Sequence, residues 1–203
     1  MIDKDSKYFN HTDLTFFTNE PGQTLLDRFK STLKDTQYFD VLVGYFRSSG
    51  FYQLYNSLEN VDKIRILVGL DLDRESYEIL QINEENGLLD FESHQRTKNI
   101  FQKNLIYEIE NSKQSDNQLE TGIKKFVEFL HKDCTSKDIE PSHFGNGKKL
   151  EIRAYPSKNI HAKVYISRYN EDDRDFGSVI TGSSNFTESG LVAQREFNVQ
   201  LKN

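Results

Sequence analysis

Cysteine is nearly absent, and the lone thiol of Cys134 can form no internal disulfide. His131 lies three residues before it, but no second ligand pair follows, so neither a disulfide scaffold nor a structural zinc site is indicated. Long apolar runs are also missing. No stretch approaches the roughly 18 consecutive apolar residues of a membrane-spanning helix, and Met1 to Lys7 lack the apolar core of a signal peptide. A cytoplasmic protein with no membrane partner is the expectation. A basic excess is lacking too, since the formal net charge is −6. General nucleic-acid binders carry the opposite sign, so any polyanion must be met locally. Residues 141–203 hold nine Lys or Arg against seven Asp or Glu, while the rest holds 17 against 25, which makes the C-terminal third the net-basic part. No solenoid or propeller repeat is present. The acidic run Glu171 to Asp175 reads as a solvated loop rather than a metal site.

What is present describes a polar but foldable chain: 203 residues, 35% hydrophobic and 12% aromatic, expected to form one domain over 1–203. Leu25, Leu26, Phe29 and Leu33 recur at helical spacing after the Pro21-Gly22 turn. Phe39 to Phe46 reads as a buried strand, Phe51 to Leu58 as a helix and Lys63 to Leu70 as a second buried strand, a unit that normally pairs its strands in parallel. Between about 76 and 140 the pattern turns helical. Phe101, Leu105 and Ile109 mark one face, Ile123, Phe126, Val127 and Leu130 another, with a polar connection from Ser112 to Asn117. His94 and His131 read as solvated helix residues, and this insertion as structural. After the Gly145-Asn146-Gly147 turn, strands are expected at Leu150 to Ala154, Asn159 to Ser167, Gly177 to Thr181 and Arg195 to Leu201. The fold class is α/β, a mixed sheet flanked by helices.

Alternation on the Asn159 to Ser167 strand puts Ile160, Ala162, Val164 and Ile166 on one face and His161, Lys163 and Tyr165 on the other, which should be the presented one. On the last strand the same rule sends Phe197, Val199 and Leu201 inward and Glu196, Asn198 and Gln200 outward. Gly182-Ser183-Ser184-Asn185 supplies small residues and short donors that can crowd an oxyanion. Phosphodiester cleavage without a metal needs a nucleophile, a cation for the equatorial oxygens, and neutral donors to finish the cradle. An imidazole attacks phosphorus well when its other nitrogen is fixed by an acceptor, and Glu196 is the candidate for that role. Singly, each piece is commonplace: a His beside a Lys is usually surface, and Gly-Ser-Ser-Asn is usually a turn.

In this order, His161-Ala162-Lys163, then Gly182-Ser183-Ser184-Asn185, then Glu196, the residues resemble the phospholipase D superfamily signature. Asp40 to Gly50 and Arg65 to Leu70 are similar to the opening of the phospholipase D-like domain found ahead of bacterial superfamily-two helicases and in restriction-type nucleases. The resemblance implies a phospholipase D-like mixed sheet and a metal-independent phosphodiesterase acting on DNA. It implies His161 as the nucleophile forming a phosphohistidine, Lys163, Ser183 and Asn185 as phosphate ligands, and Glu196 as the partner of the histidine. No cofactor or metal is called for. One departure stands out: the signature places an Asp five residues after the lysine, where this chain has Arg168, and Asp172, Asp173 or Asp175 are the substitutes in reach of the reading. Only one His-x-Lys exists, so the chain holds half of a two-histidine site and a homodimer is expected. The strand-like ending at Leu201 suggests a helicase or restriction module beyond Asn203. The alternative is a catalytically inactive DNA-binding or dimerisation module. Lipid hydrolysis is disfavoured, because no lipid-inserting segment is evident.

Overall fold

The computed structural model describes residues 13–72, 116–134, 147–154, 160–171, 173 and 175–202. The first strand, β1 (Asp13–Thr18), leads into α1 (Leu25–Thr32). Thr24 starts that helix with a capping box: its side chain accepts from the Asp27 N–H, and the Asp27 carboxylate accepts from the Thr24 N–H. Then follow β2 (Thr36–Phe46), α2 (Ser48–Leu58) and β3 (Lys63–Leu72). Helix α3 (Asp116–His131) precedes β4 (Leu150–Ala154), β5 (Lys163–Tyr169), β6 (Gly177–Gly182), a π-helical turn (Ser189–Ala193) and β7 (Phe197–Lys202).

The strands form one seven-stranded mixed sheet in the order β1-β7-β6-β5-β2-β3-β4. The β2-α2-β3 unit pairs its strands in parallel, Val41 opposite Ile66, as the buried runs in the sequence imply. Strand β4 continues this parallel part, and β5, β6, β7 and β1 are all joined antiparallel. The α/β architecture is therefore the expected one, a mixed sheet with helices and a helical segment inserted between β3 and β4.

The core lies on one face of the sheet. Helices α2 and α3 bring Phe51, Leu54, Leu58, Ile123, Phe126 and Phe129 onto Phe39, Val41, Val43 and Phe46, all buried. Phe51 meets Phe126 edge-on at 5.0 Å between ring centroids and Phe129 at 5.7 Å. Burial of each such ring stabilises the fold by roughly 1.5–3 kcal/mol relative to exposure. Gly50 lets the start of α2 close on the chain after β6: a Cβ there would lie 2.9 Å from the carbonyl carbon and oxygen of Phe186.

Three expectations are corrected. Strand β1 was not foreseen; its exposed Leu14 and Phe16 beside a single buried Phe17 give no clear alternation. Strand β5 begins at Lys163, so His161 and Ala162 form an extended lead-in, although Gly44 still donates to the Ala162 carbonyl at 2.9 Å. The faces are also reversed in sense. Lys163, Tyr165 and Ser167 point to the helix-covered side, whereas Ile166 is exposed. On β7, Asn198 and Gln200 are buried while Phe197 and Leu201 are exposed. The expected face of Phe101, Leu105 and Ile109, the Ser112 to Ser115 connection, His94 and the start of the Gly145-Asn146-Gly147 turn lie outside the described residues.

Candidate active site

Three antiparallel strands bring the expected residues to one end of the sheet. Val164 pairs with Thr181 and Gly182 with Asn198, so the start of β5, the end of β6 and the start of β7 lie side by side. Strand β6 separates β5 from β7, so Glu196 and His161 are not on neighbouring strands.

His161 is exposed and Lys163 is buried, and the Lys163 Nζ lies 2.9 Å from His161 Nε2. An ammonium only donates, so as a hydrogen bond this contact takes Nε2 as its acceptor. Burial lowers the pKa of Lys163 from its ordinary 10.5, and the nearby Glu196 carboxylate partly opposes that shift. No hydrogen bond or ion pair joins Glu196 to His161 among the described residues. Within one chain, Glu196 acts electrostatically on Lys163 and Tyr165.

The turn after β6 is pinned at each of its residues. The Ser183 N–H donates to the Phe197 carbonyl, and the Phe197 N–H donates back to Ser183 Oγ, both at 3.0 Å. Ser184 is fully buried. Its carbonyl accepts from the Tyr165 hydroxyl at 2.8 Å and its Oγ accepts from Asn198 Nδ2 at 2.9 Å. Burial raises the Tyr165 pKa well above 10, so the phenol stays a donor. Asn185 Oδ1 accepts from the Tyr45 N–H at 3.1 Å, which leaves the Asn185 amide as a donor toward a ligand. Ser183 and Asn185 thus flank a locked Ser184, beside the Lys163–His161 pair.

Asn198, Tyr165 and Tyr45 were not among the residues singled out from the sequence. For Asn198 and Tyr165 the signal was parity: both share the face of Lys163, which the assumed outward sense concealed. Tyr45 carried no such signal, because its place beside His161, edge-on at 6.3 Å, depends on the pairing of β2 with β5.

Arg168, Asp173 and Asp175 lie elsewhere. Five residues along β5 from Lys163 is roughly 17 Å at 3.4 Å per residue, and odd against even places Arg168 on the other face. There its guanidinium stacks over the Tyr38 ring at 4.6 Å and approaches Asp40 at 3.7 Å. Asp173 and Asp175 belong to the loop between β5 and β6, at the far end from Gly182; Asp172 is outside the described residues. Asp173 and Asp175 therefore do not reach this site within the chain. Among the described residues, no group of three or more His, Cys, Asp or Glu gathers in a way that could hold a metal ion.

Several solved structures align with most of this chain at low identity. NucT from Helicobacter pylori is 11% identical with a TM-score of 0.41, the match covering 94% of this chain and 86% of NucT. The phospholipase D family member Nuc from Salmonella typhimurium is 14% identical with a TM-score of 0.38, over 95% of this chain and 84% of Nuc. Yeast tyrosyl-DNA phosphodiesterase is 12% identical with a TM-score of 0.45; the match covers 93% of this chain but 32% of that larger one. No family model and no curated protein matches. What the site can do is read from its own residues.

Proposed function

We propose that this chain is a metal-independent phosphodiesterase domain acting on DNA, working as a homodimer and attached to a helicase in its full-length protein. The observation that carries the reading is the 2.9 Å contact between Lys163 Nζ and His161 Nε2 beside the Ser183–Asn185 turn. An arriving phosphate draws the ammonium onto its oxygens and frees Nε2. Nε2 then attacks phosphorus, an N–P bond forms, and the P–O bond to the leaving group breaks. The leaving oxygen takes its proton from the partner's His161, which enters the step as an imidazolium and leaves it neutral. Water next attacks the phosphohistidine, gives its proton to the partner's His161, and releases His161. Lys163, Ser183 and Asn185 hold the charged oxygens throughout. Glu196 sets the charge balance at Lys163 and, across a dimer, is available to orient a histidine.

The test is cleavage of end-labelled DNA in excess EDTA, followed by acid-labile labelling of the protein. Cleavage and labelling that vanish together in His161→Ala support the mechanism. DNA binding without cleavage points instead to an inactive binding module. A strict monomer in sedimentation, at concentrations where activity is measured, overturns the two-histidine scheme.

A further inference from the structure

Tyr45, the penultimate residue of β2, is 37% exposed, while the next residue, Phe46, is fully buried and stacked on Phe186 at 5.4 Å. A register shift against β3 between Val43 and Tyr45 turns the strand at this point. Two contacts place the residue relative to the site. Its ring stands perpendicular to the His161 imidazole, 6.3 Å between centroids and 85° between planes, and its backbone N–H donates to Asn185 Oδ1. A part-exposed aromatic residue thus borders the candidate nucleophile through its ring and a candidate phosphate ligand through its backbone.

We propose that Tyr45 is a base-stacking platform for the nucleotide flanking the scissile phosphate, so that the site takes strands whose bases are unpaired and unstacked. The proposal rests on the phosphodiester reading of the site and adds the part of the substrate that the phosphate cradle cannot recognise. Stacking suits a tyrosine here because every base has a π-face and the ring is rigid, so little ordering entropy is lost. A base held inside a duplex cannot lie on this ring.

Binding is measured at one fixed salt concentration with two phosphorothioate-linked oligothymidines, one complete and one carrying abasic residues on both sides of its central phosphate. For Tyr45→Ala, affinity for the complete oligomer should fall about five-fold or more, the lower end of one stacked base, and affinity for the abasic oligomer less than two-fold. Tyr45→Phe should bind both like the wild type. A 2-aminopurine at the flanking position should be quenched by the wild type and not by Tyr45→Ala. Equal losses on both oligomers, or no loss on either, would overturn the platform. So would failure of the wild type to bind either oligomer. Because the readout is binding, a wild type that binds and discriminates but never cuts defeats the phosphodiesterase reading and leaves the platform standing. Thermal melting of each variant checks the fold, and Tyr45→Ala keeps the backbone donor to Asn185.

Discussion

Gly182 and Asn198 sit opposite each other across β6 and β7, so closely that a Cβ on Gly182 would lie 2.5 Å from Asn198 Oδ1 and 2.2 Å from the Phe197 carbonyl oxygen. The second of these is backbone and cannot swing away. Gly182→Ala must therefore push β7 off β6 exactly where Ser183 exchanges hydrogen bonds with Phe197. Overpacking of this kind costs about 1–3 kcal/mol. The expected result is a lower urea midpoint together with a loss of phosphate affinity larger than the loss of stability explains, checked by denaturation and by binding of a short oligonucleotide. Wild-type behaviour in both would mean that the strand pair is looser than this contact implies.

How the cradle is held could be read from the sequence only in part. Helix α1 was legible because Leu25, Leu26 and Phe29 keep strict helical spacing, and β2 because Val41 and Val43 sit in a short apolar run. The order His161, Lys163, Ser183, Asn185, Glu196 named the candidate residues. The sense of the faces was not legible. Strand β5 carries apolar residues on both sides, Val164 and Ile166 against Tyr165, so alternation sets parity but not which parity is covered. The deciding contacts are tertiary: Lys63 is buried because it donates to the Lys148 carbonyl at 2.6 Å and meets Glu151 at 3.3 Å, and Asn198 because it donates to Ser184. Partners 85 and 14 residues away leave no local pattern.

Lys163 gives the site a pH signature. Its pKa is lowered by burial, so the ammonium is lost at a lower pH than for a solvent lysine. Phosphate affinity is complete below the folded pKa and falls as pH rises through it. For stability the sign is opposite, because the unfolded chain holds the proton more tightly and loses it only near 10.5. The kcat/KM for DNA cleavage should thus have an alkaline limb below pH 10.5. Lys163→Arg keeps the cation throughout the alkaline range, so its residual activity should show that limb moved upward or gone. An unmoved limb would assign it to another group.

Lys149 offers a second titration, remote from the site. It is 4% exposed, donates to the carbonyls of Glu59 and Val61 beyond the end of α2, and lies 4.7 Å from the Phe129 ring centroid. Burial, aided by Lys132, lowers its pKa to about 8. Between pH 8 and 10.5 the unfolded chain binds the proton that the folded chain has released, so this group makes stability rise with pH in that window. Compared with Lys149→Met, the wild type should gain on the order of 2 kcal/mol of unfolding free energy from pH 7.5 to pH 10. Urea denaturation at the two pH values measures the difference; parallel behaviour would mean that Lys149 keeps its ordinary pKa.

Arg168 stands where the signature has an acid. It is roughly 17 Å along β5 from Lys163 and on the other face, where it joins Arg65 around Asp40. Arg65 holds the Asp40 carboxylate with two bonds, at 2.6 and 2.5 Å, and Arg168 approaches it at 3.7 Å. Restoring the signature with Arg168→Asp would set a second carboxylate against Asp40 and remove the guanidinium from the Tyr38 ring. The expected outcome is a loss of about 1–2 kcal/mol in stability, typical of an unfavourable surface or half-buried charge, with no gain in cleavage. Arg168→Ala should leave kcat/KM within about two-fold, since distant and unconnected sites behave additively. A tenfold rise in cleavage by Arg168→Asp would mean that the acid acts at this site through a contact that the single chain does not contain, and the two-histidine scheme would then need that acid as a third participant.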